Sequence, residues 1–137
     1  TNEKIGALGV LTVRAMGYAG LTELTCTIGK SYEVPFCSFF FVMLRGEAVR
    51  KTGLLDESLP GGDDLDYCLR LKDAGYKIAV TPQVFIWHHY AQTGRKIYGE
   101  YWDSPQHSEA INHALIRKHG FGKFVNNQYL KEESKKE

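Results

Sequence analysis

The chain has 137 residues, of which 43% are hydrophobic and 12% aromatic, and this is enough apolar material for the core of one ordinary domain. Its 17 basic and 16 acidic residues give a net charge of +1, which argues against a nucleic-acid partner because phosphate binding normally needs a basic excess. The odd number of cysteines, without a CxxC pair, argues against a disulfide framework and favours a reducing cytoplasm; they are Cys26, Cys37 and Cys68.

In the first third of the chain, the sequence predicts two strands and a short helix. Residues 5–13 are typical of a short buried strand, and residues 17–32 predict loops and a β-hairpin. Residues 36–45 predict a strand that is buried on both faces. Residues 46–53 then predict a short helix that ends at Gly53.

A second helix is predicted from about Asp64 to Ala74. Its apolar residues cover most of its circumference, which indicates a largely buried helix; they are Leu65, Tyr67, Cys68, Leu69, Leu71 and Ala74. Only Asp66, Arg70 and Asp73 cluster on a polar side. Gly75 follows where a left-handed C-terminal cap is expected.

After the second helix, the sequence predicts two more strands and a loop. Residues 76–81 form the first of these strands, and Pro82 ends it. Residues 83–90 have bulky side chains on both faces, which favours a central strand of a sheet. Residues 91–107 predict a polar loop.

A last helix is indicated by strong local signals. Ser104 caps it, Pro105 lies in its first turn and Gly120 ends it. The charged tail, residues 131–137, is expected to be disordered. The order of the elements favours an α/β or α+β fold, which we expect to be a single domain over residues 1–130.

No membrane-spanning or secretory segment is predicted. The longest apolar run, residues 34–44, is shorter than the about 20 residues that cross a bilayer, and no signal peptide opens the chain. The chain opens on Thr1 and not on Met, so we expect either a piece of a longer protein or a chain trimmed at its start.

Three aspartates crowd the start of the second helix, directly after two glycines: Asp63, Asp64 and Asp66. In a structural explanation, one of the first two caps the helix, the other lies near the positive end of its dipole, and Asp66 pairs with Arg70 one turn later. In a functional explanation, a carboxylate at this position is well placed as a general base, and the glycines leave room for a substrate to approach. The residues alone favour neither explanation over the other.

Residues 52–89 contain these aspartates in a longer pattern that resembles the C-terminal part of a family-2 glycosyltransferase of the GT-A fold. The pattern is Gly-x-hydrophobic-Asp-Glu, a short loop, an acidic-Asp pair, x-Asp-hydrophobic-x-x-Arg, Ala-Gly-Tyr, a strand, Pro, a strand and His-His. The matching residues are Gly53, Asp56, Glu57, Asp63, Asp64, Asp66, Arg70, Ala74, Gly75, Tyr76, Pro82, His88 and His89. Residues 4–10, 39–49 and 111–120 also resemble the family, so that the resemblance covers most of the chain.

The resemblance implies a partial GT-A fold, an α/β mixed sheet flanked by helices that lacks the N-terminal nucleotide-binding half. It implies that Asp64 is the catalytic base, which takes the proton of the acceptor hydroxyl. Asp63 stands where the family usually has Glu, and Asp66 and Arg70 are supporting residues.

The resemblance also implies a residue that binds the diphosphate or its divalent metal, Mn or Mg. The matching residue is His88, with His89 as the less favoured choice. Without the resemblance, a histidine at a strand end is more often a hydrogen-bonded or surface residue. Trp102 and Tyr98 are candidates for stacking on an acceptor sugar, although they could equally cover the sheet.

Other noticeable residues have structural explanations. Asp56 and Glu57 are expected to fix a loop, whereas Trp87 and Phe39–Phe41 are expected to lie in the core. Cys68 is expected to be a buried helix residue and not a nucleophile. The histidines of the last helix form no metal-ligand pattern; they are His107, His113 and His119.

The implied activity is inverting transfer of a sugar from a nucleotide-sugar donor to a saccharide or lipid-linked acceptor, as by a hexosyltransferase of polysaccharide biosynthesis. The family's Asp-x-Asp metal motif is absent before residue 64, so we expect most of the donor site to be missing and the isolated chain to be inactive.

A half sheet exposes an edge, which leads us to expect a homo-oligomer or a missing N-terminal half. The alternative function is a non-catalytic binding or assembly module. The expected location is the cytoplasm, with the inner face of a membrane left open.

Overall fold

The computed structural model describes residues 4–12 and 31–126. Within them lie the strands β1 (Ile5–Leu11), β2 (Tyr32–Glu33), β3 (Val42–Leu44) and β4 (Lys77–Phe85). The helices are α1 (Gly46–Thr52), α2 (Asp63–Asp73), α3 (Gln92–Tyr98) and α4 (Pro105–His119), with a 3-10 helix at Gly99–Asp103 and a helical segment at 121–126. The predicted tail and the predicted hairpin, except for residues 31 and 32, lie outside the described residues.

The described residues divide into two compact units. The first unit contains residues 4–12, 31–55 and 64–88, and it holds the whole sheet, α1 and α2 from its second residue onward. The second unit contains residues 56–63 and 89–126, with α3 and α4. The expectation of a single domain over residues 1–130 stays a prediction.

The four strands form a mixed sheet in the order β2-β4-β1-β3. β1 and β4 are parallel neighbours, with Leu8 opposite Ala79, and the two outer strands are antiparallel to them. A sheet of this kind with helices confirms the α/β class. No helix in the described part of the chain is long and apolar enough to cross a membrane.

α2 is buried along most of its length, as its apolar residues predict. Leu69 and Leu71 are at most 3% exposed, and a Cβ atom at Gly6 of β1 would lie only 3.2 Å from a Leu71 methyl carbon. The absence of a side chain at Gly6 therefore lets the end of α2 approach β1 closely.

α2 ends as predicted at Gly75, which has a φ of 89°. The N–H of Gly75 donates to the carbonyl of Lys72 at 2.9 Å, and the N–H of Tyr76 donates to that of Leu71 at 3.0 Å. These are the two bonds of a Schellman motif, in which glycine adopts the left-handed conformation at no steric cost. α1 and α4 likewise end at the predicted Gly53 and Gly120.

The prediction of two strands separated by Pro82 is wrong, because β4 runs through the proline. Val10 of β1 lies opposite Thr81 and Leu11 lies opposite Phe85, so the pairing skips the residues between them. Pro82 has no N–H to donate, and this irregularity lets the strand contain it. Residues 86–90, which were predicted to continue a central strand, are not in a strand.

The prediction that residues 36–45 form a strand buried on both faces is also wrong. Only β3 is extended there, and it is the outermost strand beside β1. Alternate residues of a strand face opposite sides, and here Phe41 and Met43 are 50% and 69% exposed. Phe41 and Trp87, which is 63% exposed, are therefore not core residues, and Phe39 and Phe40 are half-buried.

Residues 91–107 contain α3 and the 3-10 helix, in place of most of the predicted loop. Gly94 weakens the local helix signal in the sequence. In the structure, the indole of Trp102 lies over Gly94, and Arg95 forms an ion pair with Asp103 at 2.6 Å. These contacts within the second unit stabilise a helix that local propensity does not favour.

The packing of Trp102 on α3 predicts opposite effects for two glycine substitutions. A Cβ atom at Gly94 would lie 2.2 Å from the Trp102 indole, whereas one at Gly122 would meet nothing within 4 Å. We expect Gly94→Ala to destabilise the protein by about 1–3 kcal/mol through overpacking. Gly122→Ala should be neutral or stabilise it by up to about 1 kcal/mol. Urea unfolding followed by tryptophan fluorescence measures both, and equal effects would contradict the packing.

Candidate functional site

The carboxyl ends of β1 and β4 meet at one edge of the sheet. Beyond the two strands, the N–H of Ile86 donates to the carbonyl of Leu11 at 3.0 Å, and the N–H of His88 donates to Thr12 Oγ1 at 3.2 Å. Ligands of open α/β sheets bind outside the carboxyl ends of their strands. We call Thr12, Phe40, Asp64 and His88 the carboxyl-edge residues, and they all belong to the first unit.

Successive contacts show that α2 runs with its N-terminus toward this edge. Near the end of α2, Leu71 lies beside Gly6, at the start of β1. One turn earlier, the Cys68 thiol lies 3.8 Å from the carbonyl of Cys37, and a Cβ atom at Gly9 would lie 3.1 Å from Cys37 Cβ. α2 therefore runs antiparallel to β1, with the N-terminus of α2 toward the carboxyl end of β1.

Asp64 lies one further turn before Cys68, at the start of α2. Its Oδ1 accepts the N–H of Leu65 at 2.8 Å, and the residue is half-buried, whereas Asp63 is exposed. The positive end of the helix dipole favours an ionised carboxylate at such a position.

The thiol of Cys37 lies close enough to Asp64 to respond to its charge. A side-chain hydrogen bond with Cys68 is the main cause that raises the pKa of Cys37, followed by burial and by charge interactions that include Asp64. Cys37 and Cys68 are both fully buried, so Cys68 is the buried helix residue that was expected. Two buried thiols thus lie beside the first turns of α2.

His88 is held on two sides at the carboxyl edge. Its ring stacks on Phe40, with centroids 4.8 Å apart and an interplanar angle of 15°, and its backbone is bound by Thr12 as described above. His88 is half-buried and the neighbouring His89 is exposed. Of the two histidines, His88 is therefore the less exposed.

The described residues do not build a metal site on their own. In residues 4–12 and 31–126, no group of three His, Cys, Asp or Glu side chains could hold a metal ion. Binding of Mn or Mg at His88 stays a prediction.

Asp66 and Arg70 have a structural role away from the carboxyl edge. Asp66 is fully buried, which corrects its predicted place on a polar side of the helix, and its Oδ2 accepts Arg70 Nε at 2.9 Å. Arg70 also donates to the carbonyls of Thr52 and Leu54 at 3.1 and 2.9 Å.

Tyr67 completes this group by donating its hydroxyl to the carbonyl of Gly53 at 2.8 Å. We call Asp66, Tyr67 and Arg70 the carbonyl clamp, because they hold three successive carbonyls at the end of α1. Burial raises the pKa of Tyr67, so its hydroxyl keeps the proton that it donates.

The two glycines before the aspartates contact α4 within the second unit. Gly62 has a φ of 71°, and a Cβ atom on it would lie 2.9 Å from side-chain carbons of Ile111 and Leu115. A Cβ atom at Gly61 would lie 2.8 Å from Ile111 Cδ1. The expectation that these glycines leave room for a substrate is therefore wrong at the Cβ positions, which α4 side chains occupy.

Asp56 fixes this loop, as expected. Its Oδ1 accepts the N–H of Ser58 at 3.0 Å and its hydroxyl at 2.6 Å, and its Oδ2 accepts a hydrogen bond from Lys118. The hydrogen bond from Lys118 is the main cause that lowers the pKa of Asp56, followed by those from Ser58. Glu57 is exposed.

Tyr98 and Trp102, the candidate acceptor contacts, stack on each other in the second unit. Their centroids are 5.7 Å apart and their planes differ by 12°. Trp102 also lies over Gly94 and packs on His107 at 4.9 Å, whereas Tyr98 is 55% exposed. Tyr98 therefore offers more surface to a ligand than Trp102 does.

Sequence reasoning missed His107, which is 5% exposed. Its two ring nitrogens each lie 2.9 Å from a backbone carbonyl, those of Trp102 and Pro60. The only signal was its place as the third residue of a well-capped helix, where side chains can face the preceding loop.

Comparison of the chain with protein-family models, with curated proteins and with solved structures finds no match in any of the three.

The hydroxyl of Thr12 predicts the exchange behaviour of the His88 amide. Thr12→Val removes the acceptor of a partly buried N–H, so we expect the His88 amide to exchange with solvent at least about tenfold faster. Thr12→Ser keeps the hydroxyl and should leave that amide protected. Hydrogen exchange followed by NMR measures both variants, and equal exchange in the two would contradict the bond.

The carbonyl clamp predicts a large stability loss for Arg70→Met. The substitution leaves Asp66 buried without its cationic partner, so we expect the free energy of unfolding to fall by about 3–5 kcal/mol. Arg50→Met, at an exposed arginine of α1, is the matched control and should change it by less than about 0.5 kcal/mol. Denaturant unfolding provides the measurement, and a loss below about 1 kcal/mol for Arg70→Met would contradict the role of the clamp.

Proposed function

We propose that the chain is the acceptor-side, catalytic-base portion of an inverting GT-A glycosyltransferase, which moves a sugar from a nucleotide-sugar donor to a saccharide or lipid-linked acceptor. The observation that carries the proposal is the position of Asp64, half-buried at the start of α2 beside the carboxyl ends of β1 and β4. The second support is the ordered resemblance of residues 52–89 to family-2 enzymes.

Asp64 would act on the acceptor. As the acceptor oxygen attacks the anomeric carbon, a bond forms between them, the bond from that carbon to the diphosphate oxygen breaks, and the hydroxyl proton moves to Asp64. The bond from the Leu65 N–H orients the carboxylate, and the helix dipole favours the ionised form that a base requires. Asp63 is exposed beside it and would add negative potential without holding the proton.

His88 would bind the diphosphate. Its ring is kept in one orientation by the stack on Phe40, which lowers the entropic cost of presenting a ring N–H to a phosphate oxygen. A divalent metal, when bound, supplies Lewis-acid stabilisation of the leaving diphosphate. No group of three His, Cys, Asp or Glu side chains in residues 4–12 and 31–126 could hold it, so no step of the proposal passes through the metal.

Asp66 and Arg70 would support the reaction only through the fold. Their bonds go to each other and to carbonyls at the end of α1, so the clamp fixes the position of α2 and thereby of Asp64. The parallel pair β1 and β4 between antiparallel outer strands is compatible with part of a GT-A sheet.

Calorimetric titration of the 137-residue chain with uridine diphosphate and Mn²⁺ tests the donor side of the proposal. We expect weak binding whose affinity falls at least about tenfold in His88→Ala, because one hydrogen bond to a charged group is lost. His113→Ala, at an exposed histidine of α4, is the control and should bind like the parent chain. Absence of heat in all three proteins would mean that the donor site lies outside this chain, which is then either a catalytic remnant or a binding module.

The Asp64→Asn variant tests the acceptor side. It keeps the size of the side chain but removes the base, so transfer from a panel of nucleotide sugars by the longer protein that the resemblance implies should fall by about 10²–10⁴-fold. Its affinity for uridine diphosphate should stay unchanged. Asp73→Asn makes the same chemical change at the other end of α2 and should leave transfer intact. Transfer that is equal in Asp64→Asn and the parent would remove Asp64 from the mechanism.

A further inference from the structure

The loop that leads into the acidic start of α2 is bound along one side of α4. His107, Ile111, Leu115 and Lys118 are spaced so that they share one face of that helix. Lys118 binds Asp56, Ile111 and Leu115 contact the two glycines, and His107 contacts Pro60. Loop residues 56–63 and α4 belong to the same unit.

Of the residues on this face, His107 is a polar one whose loop partner, Pro60, lies close to the aspartates in the sequence. Its Nε2 lies 2.9 Å from the carbonyl of Pro60, three residues before Asp63. Its Nδ1 lies 2.9 Å from the carbonyl of Trp102, and its ring packs on Trp102 and Tyr101 at 4.9 and 5.0 Å. The side chain therefore has little freedom to release the loop.

The chemistry of the two contacts requires a proton on the imidazole. A backbone carbonyl only accepts hydrogen bonds, so the contact with Pro60 is a bond only when Nε2 carries a proton. A neutral ring can make one of the two bonds, and a doubly protonated ring makes both. A residue without a donor at this position loses the bond to the Pro60 carbonyl.

We propose that His107 is a positioning residue for the catalytic base. By holding the Pro60 carbonyl it fixes the path of residues 61–63, which continue directly into Asp64. The proposal rests on the proposed function for its catalytic consequence, but the fixation of the loop is a separate and measurable property.

Two substitutions separate the donor from the ring. His107→Phe keeps an aromatic ring against Trp102 and Tyr101 but has no donor, whereas His107→Gln keeps one N–H donor. His113→Gln, at the exposed histidine of the same helix, is the matched control.

Amide hydrogen exchange tests the fixation without any substrate. The amides of residues 61–64 should exchange at least about tenfold faster in His107→Phe, while those of β1 and β4 stay unchanged. His107→Gln should restore most of the protection, and His113→Gln should match the parent. Unchanged exchange at residues 61–64 in a folded His107→Phe would overturn the proposal.

If His107→Phe does not fold, the ring protons of His107 in the parent chain test the bond to Pro60 instead. A Nε2-bound proton of His107 that is protected from solvent exchange in the NMR spectrum supports the bond to Pro60, and its absence overturns it.

The catalytic consequence has its own readout. In transfer assays on the longer protein that the resemblance implies, kcat should fall about tenfold in His107→Phe with KM for the donor unchanged, and His107→Gln should recover most of it. Faster exchange at residues 61–64 with an unchanged kcat would overturn the positioning role. Loss of the proposed function itself would appear differently, as transfer that does not depend on Asp64.

Discussion

The ion pair between Asp66 and Arg70 is the constraint on which the first unit depends. A fully buried carboxylate is tolerated only when it is paired and hydrogen-bonded, and Arg70 provides both while its remaining N–H groups hold carbonyls at the end of α1. Because Tyr67 adds a third such bond, α1 and α2 are joined by polar contacts whose geometry allows little adjustment. The direction of α2, and with it the position of Asp64, follows from these bonds.

The contacts of the clamp and of α4 explain several of the residues that crowd the start of α2. Asp66 is accounted for by the clamp, and the glycines before the helix are accounted for by the side chains of α4 that fill their Cβ positions. What remains is Asp63 and Asp64, of which only Asp64 is half-buried and hydrogen-bonded to the helix start. A single carboxylate at a helix N-terminus is an ordinary cap, so its functional interest comes from the sheet edge beside which it lies.

The parts of the fold that the sequence predicts are those with local causes. The ends of α2 and α4 follow from Gly75, Ser104 and Gly120, whose backbone or side chain acts within one turn. The errors involve distant partners: an irregular pairing with β1 admits Pro82 into β4, and Trp102 stabilises α3 over Gly94. Periodicity likewise places Asp66 on a polar side, because it cannot show that the Asp66 carboxylate is buried against Arg70.

The residues of the candidate site also divide into those that the sequence indicates and those whose contacts only the structure shows. The pattern of residues 52–89 singles out Asp64 and His88, but the partners that constrain His88, Thr12 and Phe40, lie elsewhere in the chain and carry no sequence signal of their own. His107 is the extreme case, since its importance appears only once Pro60 lies against α4. Within the first unit, the carbonyl clamp restrains α2 after Asp64. The proposed role of Asp64 as a base requires such restraint, because a shift of about 1 Å is enough to lose hydrogen-bond contact with a hydroxyl.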